Sequence, residues 1–312
     1  MIFSFIKKLF HQREFTLPKT RGEIRESEPL AKKTWLGVGG EAEFYFEPAD
    51  EKDLAHFIKN KPDIPVSVLG GGSNILIRDS GVAGVVIHLG KPFANVQIDG
   101  TQITCGAGLL NVDLSRFAAK NNLSGFEFLC GIPGSVGGAL RMNAGAYGRE
   151  IKDILISLRF VDSNGTLQEI SPEADFLAYR QNRLPDDWIF TGATFQGIPA
   201  NEESIFAKMA ELKQKREANQ PIGVKTCGST FKNPEGLKAW QLIEKAGCRG
   251  LTIGDACISE KHTNFIINKH HATAQQLEDL GEEVIRRVRE KTGITLEWEI
   301  KRWGTPDKGE NE

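Results

Sequence analysis

Apolar and polar residues alternate over EAEFYFEP (41–48), the period of a half-buried strand. ADEKDLAHFIKN follows, with Leu54, Phe57 and Ile58 on one helical face and Asp50 placed to cap it. PVSVLG, NILIRD and GVVIHLG then read as strands. The order β-α-β-β-β makes this first unit α+β rather than a repeated βαβ array. QITCGAG predicts a strand feeding a helix with Leu110, Leu114, Phe117 and Ala118 in line. A glycine-rich loop spans 131–148, and ILISLRFVDSNGTLQEIS predicts a hairpin turning at Asn164-Gly165. This second unit runs to about residue 200.

The spacing of Ile205, Met209 and Leu212 predicts a charged helix over 202–218, ended by Pro221. A third unit begins there. AWQLIEKAG (239–247) reads as a helix closed by Gly247. Thr273 and Gln276 form a capping box before a long helix carrying Leu277, Leu280, Val284 and Val288 on one face, and Gly293 ends it. ITLEWEI (294–300) is expected to be the last strand, with Ile294, Leu296, Trp298 and Ile300 on one face and Thr295, Glu297, Glu299 and Lys301 on the other. There is no internal repeat and no low-complexity segment.

A chain of 312 residues suggests two or three domains at about 100–200 residues each. Hydrophobic residues are 40% and charged residues 26%, enough apolar material for packed cores. The net charge of −2 and the pI near 6.4 supply no global field for nucleic acid. Five scattered cysteines without a C-x-x-C fit a reducing cytosol and neither a disulfide scaffold nor a structural zinc site, and no metal-ligand spacing occurs. No apolar run is long enough to span a bilayer, and MIFSFIKKLF makes a poor signal peptide, so it reads as a loosely docked extension without stable membrane association.

Glycine changes the picture. The 33 glycines concentrate between Gly37 and Gly148. VSVLGGGSNILI (66–77) is a strand, three glycines, Ser73-Asn74 and another strand, and its free backbone N–H groups could wrap a phosphate. It is neither G-x-G-x-x-G nor a Walker A loop. GIPGSVGGALRMNAGAYG (131–148) is a second such loop, with Ser135 and Asn143 as side-chain donors. Two such loops on adjacent units could hold an extended dinucleotide. KTCGSTFKNP (225–234) places Ser229 among Lys225, Lys232 and Asn233. That serine could be a nucleophile, a phosphate ligand, a proton donor or a loop hydroxyl. It lacks a G-x-S-x-G elbow, which disfavours the nucleophile.

These loops, with AYRQNR (178–183), GSTFKNP (228–234), AWQLIEKAG, ISEKHTNFI (258–266) and LEWEI (296–300), closely resemble the UDP-N-acetylenolpyruvoylglucosamine reductase (MurB) family over about residues 30–303. The resemblance implies an α+β fold. It consists of a two-part FAD-binding domain of the vanillyl-alcohol-oxidase (PCMH) type and a C-terminal α+β substrate-binding domain. The expected divisions are an extension at 1–28, FAD subdomains at 29–90 and 91–200, a substrate domain at 201–304 and a tail at 305–312. It also implies a cytoplasmic oxidoreductase of bacterial peptidoglycan synthesis. FAD is the cofactor and NADPH the co-substrate. Hydride from reduced flavin N5 adds to the enolpyruvyl ether of UDP-N-acetylglucosamine, giving UDP-N-acetylmuramate. The chain looks like the shorter subgroup, without the substrate-covering tyrosine loop.

The same resemblance assigns roles. Arg180 matches the catalytic arginine and would grip the substrate carboxylate. Glu299 matches the catalytic glutamate; the strand pattern alone leaves Glu297 equally placed. Ser229 matches the proton donor, a weak acid whose proton a water or a nearby lysine, Lys225 or Lys232, is expected to restore. FAD is expected against Gly70, Gly71, Gly72, Ser73 and Asn74, and against Gly131, Pro133, Gly134, Ser135, Gly137, Gly138, Asn143, Ala144 and Gly145. Substrate contacts are expected from Tyr179, Lys225, Lys232 and Asn233, more weakly from Arg216. His262, beside Asn264 in EKHTNFI, is left out of catalysis, and Trp298, where many relatives carry proline, is expected to matter little. The rival readings are an FAD-dependent oxidase of the same fold acting on a small alcohol or sugar, a non-catalytic nucleotide-binding module, and a serine hydrolase.

Overall fold

The computed structural model describes residues 16–171, 176–178 and 181–306. The first unit holds strands β1 (Glu23–Pro29), β2 (Glu41–Glu47), β3 (Val66–Leu69), β4 (Ile75–Ile77) and β5 (Val82–His88). Its sheet runs β1-β2-β5-β3, antiparallel at β1–β2 and parallel elsewhere. Residues 23–28, read from sequence as part of an extension, thus lie in an edge strand; their many charges hide the strand period. The helix Glu51–Asn60 begins as expected, with the Asp50 carboxylate accepting from the Asp53 N–H. Its buried Leu54, Phe57 and Ile58 cover Phe46, Val85 and Ile87. β4 leaves this sheet altogether.

The second unit contains β6 (Val96–Asp99), β7 (Gln102–Gly106), β8 (Leu123–Ser124), β9 (Gly145–Ala146), β10 (Arg149–Glu150), β11 (Leu155–Val161), β12 (Leu167–Ile170), β13 (Leu177–Ala178), β14 (Gln181–Asn182), β15 (Ile189–Gln196) and β16 (Ile198–Pro199). Five of them form an antiparallel sheet in the order β12-β11-β15-β7-β6. The β11–β12 hairpin closes around the Asp162 carboxylate, which accepts from the N–H groups of Asn164 and Thr166, and Gly165 supplies the positive φ of 73°. The helix Asn111–Lys120 packs Leu114 and Ala118 into the core. Leu110 is not on that face; it is the residue before the first turn and lies exposed. The stretch 131–148, read as a loop, contains a short helix, Val136–Arg141. Its first N–H groups donate to Leu109 and Ala107 carbonyls, so tertiary bonds make a helix where glycine propensity opposes one.

The helix Glu202–Asn219 buries Ile205 and Met209 against Ala119 of the second unit. Beyond it lie the helices Ala239–Lys245 and Ala274–Thr292 and a sheet of β17 (Thr252–Ile253), β18 (Ala256–Ile258) and β19 (Ile266–Asn268). The Thr273/Gln276 capping box and the left-handed Gly293 bound the long helix as expected. The segment 294–300 is not a regular strand. Leu296 and Ile300 are buried and Glu297 is exposed, as the alternation requires, but only Trp298 forms a ladder bridge, to Phe231. The last regular strand is β20 (Lys301–Trp303), and it pairs in parallel with β4 of the first unit, Lys301 opposite Ile75.

Candidate functional site

The two glycine-rich loops face each other backbone to backbone. A methyl group on Gly71 would lie 2.6 Å from the Gly134 Cα, and one on Gly70 would lie 2.9 Å from the Ser135 Oγ. The Ser73 hydroxyl donates to the Pro133 carbonyl at 3.1 Å and holds the loops together. Gly72 sits at φ 64° against Lys33, a conformation and a clearance that only glycine meets cheaply. The backbone N–H groups from Gly70 to Asn74 donate to no acceptor among the described residues. Consecutive free amides at a loop that approaches solvent form a nest for an anion. Beside them, the Ser135 hydroxyl makes no hydrogen bond to a described residue, and only that oxygen lies within 4 Å of where a Gly138 side chain would be. The cradle therefore fits a pyrophosphate at Gly70–Asn74, Gly134, Ser135 and Gly138.

The remaining expected cofactor residues also make contacts within the fold. Gly137 donates its N–H to Ala107 and packs on it. Asn143 is fully buried; its amide donates to Glu150 at 2.9 Å and its oxygen accepts from the Lys152 N–H at 3.0 Å. It braces the 143–152 loop. Ala144 is buried in the same brace, and Gly145 pairs with Glu150. Gly131 ends the 3-10 turn Glu127–Gly131 beside the Tyr147 ring, and Pro133 contributes through the carbonyl that Ser73 grips.

Ser229 follows Gly228, whose φ of 81° turns the chain, and it is half-buried. The next residues are fixed from both sides. Thr230 is fully buried, and its hydroxyl oxygen accepts from the Ile266 N–H. The Asn264 side chain accepts from the Phe231 N–H and donates to the Phe231 carbonyl, standing in for a missing strand neighbour. On the other side, Glu299 donates its N–H to the Thr230 carbonyl at 2.8 Å, and Lys232 donates to the Glu297 carbonyl at 2.9 Å. The residues after Ser229 and the residues around Glu299 therefore run as neighbouring extended chains.

Asn74 closes the arrangement. Its side-chain amide donates to the Glu299 carbonyl at 3.2 Å, and its own carbonyl accepts from the Lys301 N–H. One backbone unit, Glu299, is thus held by the residue after Ser229 and by the glycine-rich loop of the first unit. The sequence signal for Asn74 points to the cofactor alone; this second role is visible only in the fold. Asn264 and Thr230 were likewise missed, although both lie inside recognised motifs.

Glu297 and Glu299 separate here. Glu297 is exposed and pairs with the Lys232 ammonium at 3.1 Å, whereas Glu299 is half-buried beside the loops. An exposed pair of this kind is worth about 0–1 kcal/mol, so Lys232 remains available to an anionic ligand. Lys225 is exposed, its aliphatic stem lying along Gly37 of the first unit. Asn233 accepts from the Ala239 N–H and anchors the start of the helix Ala239–Lys245. Arg216 bonds Gln220 within its own helix end. Tyr179 and Arg180 lie outside the described residues; Ala178 and Gln181 beside them pair antiparallel. Burial holds the His262 imidazole below its ordinary pKa, and its Nδ1 accepts from the Asn264 N–H, so the ring is a neutral packing group. Burial pushes the Cys227 thiol up to about 12, which removes it as a nucleophile near Ser229. No cluster able to hold a metal occurs among the described residues.

Residues 42–171 match the family model of an FAD binding domain. Together with the paired glycine loops and the third unit seated over them, this defines an FAD-containing oxidoreductase with a PCMH-type cofactor domain. Residues 220–303 match the C-terminal domain of UDP-N-acetylenolpyruvoylglucosamine reductase. The reductase of Azorhizobium caulinodans is 53% identical over 291 residues, 93% of this chain and 94% of that one. That of Parvibaculum lavamentivorans is 53% identical over 289 residues, covering 92% and 93%. The crystal structure of the reductase (MurB) from Thermus caldophilus matches with a TM-score of 0.79 at 36% identity, over 92% of this chain and all of that one. The chain belongs to the UDP-N-acetylenolpyruvoylglucosamine reductase family.

Proposed function

We infer that this chain reduces the enolpyruvyl group of UDP-N-acetylenolpyruvoylglucosamine to give UDP-N-acetylmuramate for peptidoglycan synthesis, using FAD and NADPH. The family membership carries the reaction, and the convergence on Glu299 supports the site. Bound FAD would supply two-electron redox chemistry between NADPH and the substrate double bond. Its pyrophosphate would be held by the free amides of Gly70–Asn74 and by Ser135.

The protein's own part is to manage charge and a proton. As the double bond is reduced, negative charge develops on the carbon bearing the carboxylate. Arg180, by its match to the family motif, grips that carboxylate bidentately. Glu299, fixed through its backbone at both N–H and C=O, stabilises the intermediate by hydrogen bonding. Ser229 gives its hydroxyl proton to the carbanion, and water or a lysine, Lys225 or Lys232, returns one. The hydroxyl has no hydrogen-bond partner among the described residues, which leaves it directed by substrate. Lys225, Lys232, Asn233 and Tyr179 contact the nucleotide-sugar. The partners are this substrate and NADPH, and the site of action is the cytoplasm. Five free thiols, four of them buried, support a reducing compartment. No described helix is long and apolar enough to cross a membrane.

Ser229→Ala tests the assignment. Flavin reduction by NADPH keeps its rate, and reoxidation by the enolpyruvyl substrate slows about 10²–10⁴-fold, the usual worth of a general acid. Reoxidation at the wild-type rate would remove Ser229 from the chemistry.

A further inference from the structure

Gly281 lies in the middle of the helix Ala274–Thr292, where glycine weakens a helix. It is fully enclosed, and the reason is local. A methyl group there would fall inside the van der Waals envelope of the Trp298 ring, at Cζ2 and Cη2. The indole fills the notch that the glycine leaves. It is tied down on every other side: Nε1 donates to the Glu282 carboxylate at 2.9 Å, the Arg302 guanidinium lies 4.8 Å from the ring centroid, and the Phe231 ring packs at 5.2 Å. Arg302 donates to the same Glu282 oxygen, at 2.9 Å.

Trp298 is the neighbour of Glu299 in an extended segment, where successive side chains point to opposite faces. A side chain locked inward at 298 sets the outward direction at 299. A backbone bond to Thr230 and one from the Asn74 side chain hold the Glu299 main chain, Trp298–Phe231 is the one ladder bridge of the segment, and the packed indole fixes which face each side chain takes. We propose that Trp298, seated in the Gly281 notch and held by Glu282 and Arg302, is the positioning residue that aims the Glu299 carboxylate. This runs against the expectation that tryptophan here matters little. It rests on the reading that Glu299 serves the substrate half-reaction.

The test uses the FAD-loaded enzyme and five variants: Trp298→Phe, Trp298→Ala, Gly281→Ala, the Gly281→Ala/Trp298→Ala double variant and, as reference, Glu299→Gln. Each is reduced by NADPH without oxygen and then mixed with substrate, and its thermal midpoint is measured. Misplacement of a reacting group by about 1 Å costs up to ~10²-fold. Trp298→Ala should therefore slow reoxidation by about 10–10²-fold, with reduction by NADPH and the flavin spectrum unchanged. Trp298→Phe, which still fills the notch, should recover most of the rate. Gly281→Ala should slow reoxidation and lower the midpoint in wild type, yet do neither in the Trp298→Ala background, where the notch is vacant. Reoxidation of Trp298→Ala at the wild-type rate, or equal slowing of both half-reactions, would reduce Trp298 to packing and overturn the proposal. If Glu299→Gln reoxidises normally, the Glu299 role itself fails, whatever Trp298 does.

Discussion

Gly71 sets the distance between the two cofactor loops by having no side chain. Its backbone faces Gly134, and a methyl group would force the loops apart. Overpacking of this kind costs about 1–3 kcal/mol when backbone must move. Gly71→Ala should therefore leave a folded protein that purifies with less flavin, read as FAD absorbance per mole of chain; full FAD content would mean the loops yield without harm to the cradle. At this scale the sequence was informative about which loops matter, because clustered glycine signals close backbone approach. It was less informative about which atoms face the ligand. Asn143 reads as a cofactor donor in sequence and in the fold also bonds Glu150 and Lys152. Asn74 looks like a cofactor residue and also grips Glu299.

The decisive element is irregular. Residues 230–232 and 297–300 pair through a few backbone bonds, and Asn264 completes the pairing from the far side. Leaving buried partners unmade costs about 1–3 kcal/mol each. Asn264→Ala should lower the thermal midpoint and slow flavin reoxidation more than flavin reduction; an unchanged midpoint would show that the 230–231 backbone finds other partners. The alternation in ITLEWEI reported burial correctly and ladder formation wrongly, since period-two patterning marks an extended chain without naming its partner. Helix ends were legible because capping is local: Asp50, Thr273 with Gln276, and Gly293 all act as read. The helix Val136–Arg141 was not, because its hydrogen bonds to residues 107 and 109 lie far off in sequence.

Across the whole molecule, the C-terminal strand ties the third unit to the first. β20 lies on β4, and Arg78 beside β4 makes a two-pronged pair with the buried Glu278, which also accepts from Arg302. Asp79 accepts from the N–H of Ala274 at the start of the same long helix. None of this is legible in sequence, since partners 200 residues apart leave no spacing to read. Burial pushes the Glu278 carboxyl up, but Arg78 and Arg302 outweigh it and hold it below its ordinary value of 4.5. A carboxylate held low in the folded state contributes stability above its unfolded pKa, and that contribution is lost as pH falls through the folded value. Glu278→Ala should cost about 1–3 kcal/mol near neutral pH, because it leaves the part-buried Arg78 and Arg302 guanidinium groups without their shared carboxylate. The gap to wild type should narrow below pH 4.5 in denaturant melts at several pH values. A gap independent of pH would mean that the pair is not ionised.

The central claim is that one site takes electrons from NADPH and delivers them to an enolpyruvyl nucleotide-sugar. The most direct measurement is an anaerobic visible spectrum of the purified protein, first with NADPH added and then with UDP-N-acetylenolpyruvoylglucosamine. Flavin absorbance should bleach with NADPH and return in full with the nucleotide-sugar. Absorbance that bleaches with NADPH but returns only when oxygen is admitted would contradict the account and point to an oxidase.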